Sequence, residues 1–273
     1  MAKELTEEEK ELKAELEKNF STYNLSLEAR GRRLMGLLPS DPRCITCMSP
    51  FEGIGGALLK ILFDRKPSTL NPLVCNSCED LLKRTGFGIE LEMSMVFADI
   101  RGSTRLAEQM DPTSYRDLID RFYNETTHVL VHSYAMIDKL VGDEVSGFYF
   151  PGLVGKNISQ QAIKAAEKIL KVTGHADPEE PWVPVGVGVH TGRAYYGAVS
   201  SKDGMVDLTA LGDAVNTASR LASMAAAGEV VISESAIKDS GMDASILEER
   251  TLELKGKEER MDVRIIKVAS NQL

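Results

Sequence analysis

Two aspartates stand at places where a chain can gather charge. Asp99 closes the apolar run Met93-Ser-Met-Val-Phe-Ala-Asp99 and is followed at once by Ile-Arg-Gly-Ser-Thr104. Asp143 lies 44 residues later in Lys139-Leu-Val-Gly-Asp-Glu144. The first is placed where a strand gives way to a helix start, the second in a tight turn between two β-like runs. Both can then project from strand ends. Two such carboxylates brought together make an oxygen-rich site for a hard divalent cation, and Mg²⁺ is commonly held by one or two carboxylates plus substrate phosphates. Taken singly, each also reads as something plainer, a helix N-cap and a turn aspartate. Glu144, beside Asp143, reads mainly as a solvated turn residue.

A second group of chemistry-bearing residues is sulfur. Cys44-Ile-Thr-Cys47 and Cys75-Asn-Ser-Cys78 are two C-x-x-C knuckles with 27 residues between them. Two such pairs can close a tetrahedral site of four thiolates, which suits structural Zn²⁺. An iron–sulfur cluster is the alternative for the same donors. The segment between the knuckles contains Gly53, Gly55, Gly56, Pro67 and Pro72, and reads as loop-rich.

The whole chain bounds these readings. Its 273 residues are enough for one sizeable domain and a small one. A composition of 43% hydrophobic and 27% charged residues is that of an ordinary soluble protein. The net charge of −9 argues against a broad nucleic-acid-binding face. No apolar run reaches the ~18 residues of a membrane span, and the charged start lacks a signal-peptide core. A cytoplasmic protein is expected, in which four cysteines are metal ligands rather than disulfides.

Three regions follow: 1–40, 41–86 and 87–273. Residues 3–20 read as a helix whose stripe of Leu5, Leu12, Leu16 and Phe20, continued by Tyr23, serves either packing or dimerisation. The region 41–86 is the cysteine unit. After residue 87, strands are expected at Leu91–Ile100, Met136–Val141, Val145–Phe150, Val183–Thr191, Val206–Ala210, Glu229–Ser233, Glu249–Leu254 and Val263–Val268. Helices are expected at Arg105–Met110, Tyr115–Tyr134, Ser159–Val172 and Asp213–Ala225. Strands and helices that alternate, with hairpins between some strands, predict an α/β (α+β) sandwich on a mixed or antiparallel sheet. His128 and His132, one helical turn apart, read as packing residues, His190 as a strand end, and Trp182 as packing near a Pro-rich loop.

Three stretches converge in order: Val96-Phe-Ala-Asp-Ile-Arg-Gly-Ser-Thr104, Lys139-Leu-Val-Gly-Asp-Glu144 and Leu211-Gly-Asp-Ala-Val-Asn-Thr-Ala-Ser-Arg-Leu221. With Gly186-Val-Gly-Val-His-Thr-Gly192 they resemble the catalytic domain of the class III nucleotidyl cyclases, over roughly residues 90–270. The resemblance implies a ferredoxin-like βαββαβ core and a head-to-tail homodimer with each active site built from both protomers. It implies that Asp99, Asp143 and the Ile100 carbonyl hold two Mg²⁺ or Mn²⁺ ions. Gly102, Ser103 and Thr104 open a helix whose free N–H groups suit phosphate oxygens.

From the partner protomer the resemblance implies Asn216 to orient the ribose and Arg220 to steady charge on the transferring phosphate. These two lie four apart and share a helical face. Lys255 looks like the family's phosphate-contacting lysine, with Lys257 as the other register. Lys139 and Thr209 match the base-reading positions, and a Lys/Thr pair favours ATP over GTP. The expected protein is an adenylate cyclase. A guanylate or relaxed-specificity cyclase, or a silent nucleotide-binding module, is the alternative.

Overall fold

A computed structural model of the chain describes residues 42–44, 47–69, 72, 74–84, 88–177, 181–200, 206–253 and 260–268, with a few positions before residue 19. The predicted N-terminal helix therefore lies largely outside the described residues, as do Lys255 and Lys257. Two compact units emerge: one from residues 1–91, 151–156 and 195–210, the other from 92–150, 157–194 and 211–273.

The second unit is organised by a mixed sheet. The sheet's strands are β1 (Gly88–Ile100), β2 (Met136–Val141), β3 (Glu144–Tyr149), β4 (Val185–Ser200), β6 (Glu229–Ser233), β7 (Glu248–Glu253) and β8 (Arg260–Lys267), with residues 88–91 of β1 and 195–200 of β4 counted in the first unit. They are ordered β2-β3-β1-β4-β6-β8-β7. The main helices are α3 (Ser103–Gln109), α4 (Pro112–His132), α6 (Ile158–Val172), α7 (Asp213–Met224) and α8 (Glu234–Ser240). The first six long elements run β1-α4-β2-β3-α6-β4, and the order β2-β3-β1-β4 places β1 between β3 and β4. That is the expected ferredoxin-like βαββαβ core, and β6, β8 and β7 extend it.

Burial explains why these segments are strands. Met93 to Ala98 are all buried, as are all five residues of β6, so both faces of these strands are covered. Leu221 and Ala225, from α7 and its C-terminal end, pack on Val231, Leu252, Val263 and Ile265. Helices α6 and α8 also pack against β6. A closed set of hydroxyls ties α6 to the sheet: Ser94, Ser159 and Thr191 lie 2.6–2.9 Å from one another, and Ser159 donates to Asp239 at 2.6 Å. Buried hydroxyls satisfied by one another hold a packing arrangement in one geometry.

Glycine sets the distance between α7 and β4. A Cβ on Gly188 would sit against the backbone of α7, 2.6 Å from the Ala218 carbonyl and 2.9 Å from Ala222 Cα. No side chain can rotate away to relieve that contact.

The first unit holds α1 (Gly53–Phe63), α2 (Asn76–Arg84), the short α5 (Pro151–Val154), and β5 (Val206–Leu211), which pairs with β4. The segment expected to be loop-rich contains a three-turn helix. Gly56 is the reason: α1 passes so close to Phe51 that a Cβ there would lie 2.6 Å from its carbonyl oxygen. The helix ends at Asp64 in the left-handed region, its N–H returning to the Leu59 carbonyl.

Other expectations are corrected. Strand β4 does not stop at Thr191 but runs through Gly192 and Arg193 to Ser200, because β5 offers it a partner. His190 is consequently inside a strand, its Nδ1 2.8 Å from Ser233 Oγ. His128 and His132 are exposed, their ring centroids 4.0 Å apart and tilted by 37°, rather than packed in the core. Trp182 does pack: Arg121 lies 4.0 Å over its ring, and its indole N–H donates to the Val172 carbonyl at 2.9 Å.

Two predictions follow from this packing. Gly188→Ala forces α7 off β4 and should destabilise the protein by about 3 kcal/mol, the cost of overpacking against rigid backbone, as read by urea unfolding. His175 is the second case. Its Nε2 accepts the Val185 N–H at 3.3 Å, and burial holds its pKa below 6.5, partly offset by the Leu170 carbonyl. As pH falls through 6.5 the unfolded chain takes up the proton first, so this group makes stability fall. His175→Gln should flatten the pH dependence of unfolding just below pH 6.5, and the wild-type imidazole should titrate below 6.5 by NMR.

Candidate functional site

The site begins with strand register. β1 and β3 are antiparallel, with Ala98 opposite Val145 and Asp99 opposite Glu144. One residue further, the Ile100 N–H donates to the Asp143 carbonyl at 3.1 Å. β2 and β3 are joined by the two-residue loop Gly142-Asp143, between the paired Val141 and Glu144. Gly142 has φ 62, the left-handed value that glycine supplies freely at the head of such a loop. Tyr123 on α4 donates its phenol O–H to the Gly142 carbonyl at 2.7 Å and braces the turn. The two aspartates forty-four residues apart in sequence thus stand on adjacent strand ends.

Behind Asp99 the chain turns through Gly102, φ 68, into α3. Gly102 and Thr104 are exposed and Ser103 is half-buried, so this turn faces solvent beside the carboxylates. Ile100 is buried.

Charge at the site is balanced by a residue that the sequence reading left without a role. The Arg101 guanidinium pairs with Asp99, both side chains about one-fifth exposed, and donates to the Ser223 carbonyl of α7 at 2.8 Å. Burial pushes the Arg101 pKa down, against the pull of Asp143 and Glu144. Glu144 is half-buried rather than a solvated turn residue. Burial pushes its carboxyl above 4.5, the Ser219 hydroxyl at 3.3 Å pulls it back, and Asp143 adds to the rise. Arg101 lies inside the motif around Asp99; position two after the aspartate was the available signal.

Helix α7 turns one polar face away from its buried side: Asn216, Ser219, Arg220 and Ser223 fall at i, i+3, i+4 and i+7. Ser219 and Ser223 meet Glu144 and Arg101. Asn216 is exposed and Arg220 half-buried, four residues apart on one face as expected. Lys139 lies in β2 at an irregularity between Ile137 and Leu140. Thr209 is buried in β5 of the first unit. The structure therefore brings Asp99, Ile100 and Asp143 together within one chain.

The four cysteines also meet. Their sulfur atoms all lie within 4.8 Å of one another, with Cys47 and Cys75 Sγ 3.8 Å apart. All four are free thiols. Cys44 and Cys75 are fully buried. The Cys47 and Cys75 N–H groups point at Cys44 Sγ, at 3.5 and 3.3 Å, and the Cys78 N–H at Cys75 Sγ, at 3.4 Å.

Residues 90–267 match the family model described as the adenylate and guanylate cyclase catalytic domain. An adenylate cyclase of Anabaena cylindrica is 27% identical over 186 residues, 64% of this chain and 36% of that protein. Human guanylyl cyclase C is 31% identical over 151 residues, 52% of this chain and 14% of that protein. The chain thus spans about a third or less of the length of these relatives. Among solved structures, the adenylyl cyclase CyaB from P. aeruginosa superposes with a TM-score of 0.57 at 24% identity, over 66% of this chain and 96% of that one.

Proposed function

Because the chain belongs to the adenylate and guanylate cyclase catalytic-domain family, we propose that it converts ATP to 3′,5′-cyclic AMP and pyrophosphate as a homodimer. One observation carries the reading: strand register sets Asp99 beside Glu144 and bonds Ile100 to Asp143, inside the segment that matches the family.

The donor set fits the metals the family uses. Two carboxylates and a backbone carbonyl are hard oxygen ligands, suited to Mg²⁺ or Mn²⁺. In our reading Asp99, Asp143 and the Ile100 carbonyl hold two such ions. When bound, they would make the ribose 3′-hydroxyl easier to deprotonate and neutralise the triphosphate. Arg101 pairs with Asp99 and orients that carboxylate, which would bind a divalent ion in competition with the guanidinium. Gly102, Ser103 and Thr104 line the phosphate side of the carboxylates. Helix α7 of the second protomer brings Asn216 to the ribose and Arg220 to the α-phosphate. A planar guanidinium with permanent charge suits an oxyanion whose charge grows at the transition state. Lys255, outside the described residues, is assigned to the terminal phosphates.

Base choice rests on Lys139 and Thr209. The lysine donates to adenine N1, and the threonine oxygen accepts from the exocyclic amine. The likeness to human guanylyl cyclase C keeps GTP as the second reading. We assign the protein to the cytoplasm and divide it into an N-terminal region 1–40, a cysteine module 41–86 and a catalytic domain 87–273. Among the described residues no helix is long and apolar enough to cross a membrane. The cysteine quartet we assign to a metal of its own.

Product analysis with ATP and GTP, in Mg²⁺ and in Mn²⁺, tests the assignment. Cyclic AMP should dominate. Absence of any cyclic product under either metal would leave a silent nucleotide-binding module. Asp99→Ala and Arg220→Ala should each lower turnover by about a hundredfold or more. Mixed and re-equilibrated, the two inactive chains should recover roughly a quarter of wild-type activity, since half the dimers are mixed and each carries one intact site of two. A mixture that stays inactive while wild type turns over rules out the shared site. Lys139→Glu with Thr209→Cys should shift the preference toward GTP by about tenfold or more.

A further inference from the structure

The cysteine quartet is a built site, and its dimensions distinguish between the metals that four thiolates can hold. Zn–S bonds of about 2.3 Å in a tetrahedron put neighbouring sulfurs about 3.8 Å apart. Cys47 and Cys75, one from each knuckle, stand at 3.8 Å. All four sulfurs fall within 4.8 Å of one another. In a four-iron cluster each thiolate binds a different iron, which spreads the sulfurs to about 6 Å; a two-iron cluster separates its two pairs similarly. The quartet is too tight for either. It fits one ion.

The surroundings are those of a charged thiolate centre. Four thiolates around one divalent ion leave a net charge of −2, which must be offset if the sulfurs are buried. Three backbone N–H groups point at sulfur. Arg65 directs Nη1 at Cys47 Sγ at 3.4 Å and donates to Ser49 Oγ at 2.6 Å; that oxygen lies 3.1 Å from the same sulfur. A guanidinium aimed at a cysteine between two knuckles has little purpose beside a neutral thiol.

The packing around the quartet points the same way. Among the described side chains of residues 42–80, the buried apolar ones are Pro50, Leu59, Val74 and two of the cysteines, Cys44 and Cys75. Meanwhile α1 leaves Ile54, Leu58, Ile61, Leu62 and Phe63 exposed. The apolar burial of the described side chains alone falls well short of the conformational entropy of ordering them, at about 1.5 kcal/mol per residue.

From these observations we infer that Cys44, Cys47, Cys75 and Cys78 bind a single Zn²⁺ ion, that this ion takes the place of a hydrophobic core for residues 42–84, and that Arg65 stabilises it by partly neutralising the thiolates. The inference rests on the metal assignment above and narrows it. Zinc is preferred to a single ferrous ion because divalent-metal affinity at such sites rises toward zinc.

The test uses the full chain purified without added metal. One zinc per chain, no iron and no acid-labile sulfide are expected, and exchange for Co²⁺ should give the intense visible bands of tetrahedral tetrathiolate cobalt. Stripping the metal should open residues 42–84 to limited proteolysis while 92–150 stay protected, and zinc should restore protection. Arg65→Ala leaves all four ligands in place and should lose zinc to a chelator about tenfold faster or more. Stoichiometric iron with sulfide, or iron without it, would overturn the zinc inference and leave the metal assignment standing. Four thiols that react freely in a metal-free chain, with protection unchanged by zinc, would overturn both. The wild-type measurements stand whether or not a cysteine variant folds.

Discussion

The antiparallel pairing of β1 with β3 is the constraint on which the acidic site depends. A strand with one wet face has its register fixed by alternation, because a slip of one residue turns its apolar set outward. β1 lacks that protection: Met93 to Ala98 are buried on both faces, so a slipped strand would still bury apolar groups. Register must come from elsewhere. The two-residue loop at Gly142 and Asp143 locks β2 to β3, and Ser94 anchors β1 to Ser159 and Thr191. The bond from the Ile100 N–H to the Asp143 carbonyl then closes the end of the ladder. The two aspartates are neighbours because polar contacts do what hydrophobic alternation cannot do in this strand.

That pairing concentrates negative charge, and the protein answers with one arginine and one helix. Asp99, Asp143 and Glu144 surround Arg101, whose guanidinium also reaches the Ser223 carbonyl, while Ser219 donates to Glu144. Helix α7 is therefore held to the acidic cluster through Ser219 and Ser223, and it packs on β4 where Gly188 carries no side chain. Asn216 and Arg220 lie on the same polar face as Ser219 and Ser223, opposite the buried Ala214, Thr217, Ala218, Leu221 and Ala222. In the shared-site reading this is an economical arrangement. Each α7 braces the carboxylates of its own chain and offers its remaining polar residues to the other, so the position of one half-site is tied to that of the other.

What the sequence disclosed follows the same physics. Met136–Val141 and Glu229–Ser233 are strands over the residues expected, because short β-rich runs bounded by turn residues have little other option. The ordered motifs gave the fold and brought out Asp99 and Asp143. Long-range consequences stayed hidden. Nothing local says that Arg101 reaches the Ser223 carbonyl, or that Glu144 meets Ser219, because α7 arrives from 122 and 75 residues away. Glycine misled in both directions. Gly53, Gly55 and Gly56 read as loop, yet Gly56 permits a helix to pass against Phe51; Gly192 read as a strand end, yet β4 continues. In each case glycine marks close approach rather than a turn, a distinction that needs the partner surface.

The two units hold together by different means, and this bears on how their proposed metals coexist. The sheet unit is cohesive through apolar burial and asks its oxygen ligands only to bind an ion reversibly, alongside a nucleotide. Among its described residues the cysteine unit buries little apolar surface, and in the proposed reading its ligands hold an ion permanently. Donor chemistry separates the two tasks without any further device. Thiolates are soft and discriminate strongly against Mg²⁺, whereas carboxylate and carbonyl oxygens accept Mg²⁺ or Mn²⁺ and give zinc no advantage over four sulfurs. Zinc entering the chain would therefore settle among the cysteines first and leave Asp99 and Asp143 to the ions that accompany nucleotide. A protein that needs one metal for shape and another for chemistry can draw both from the same solution, provided that the ligands differ in kind as these do.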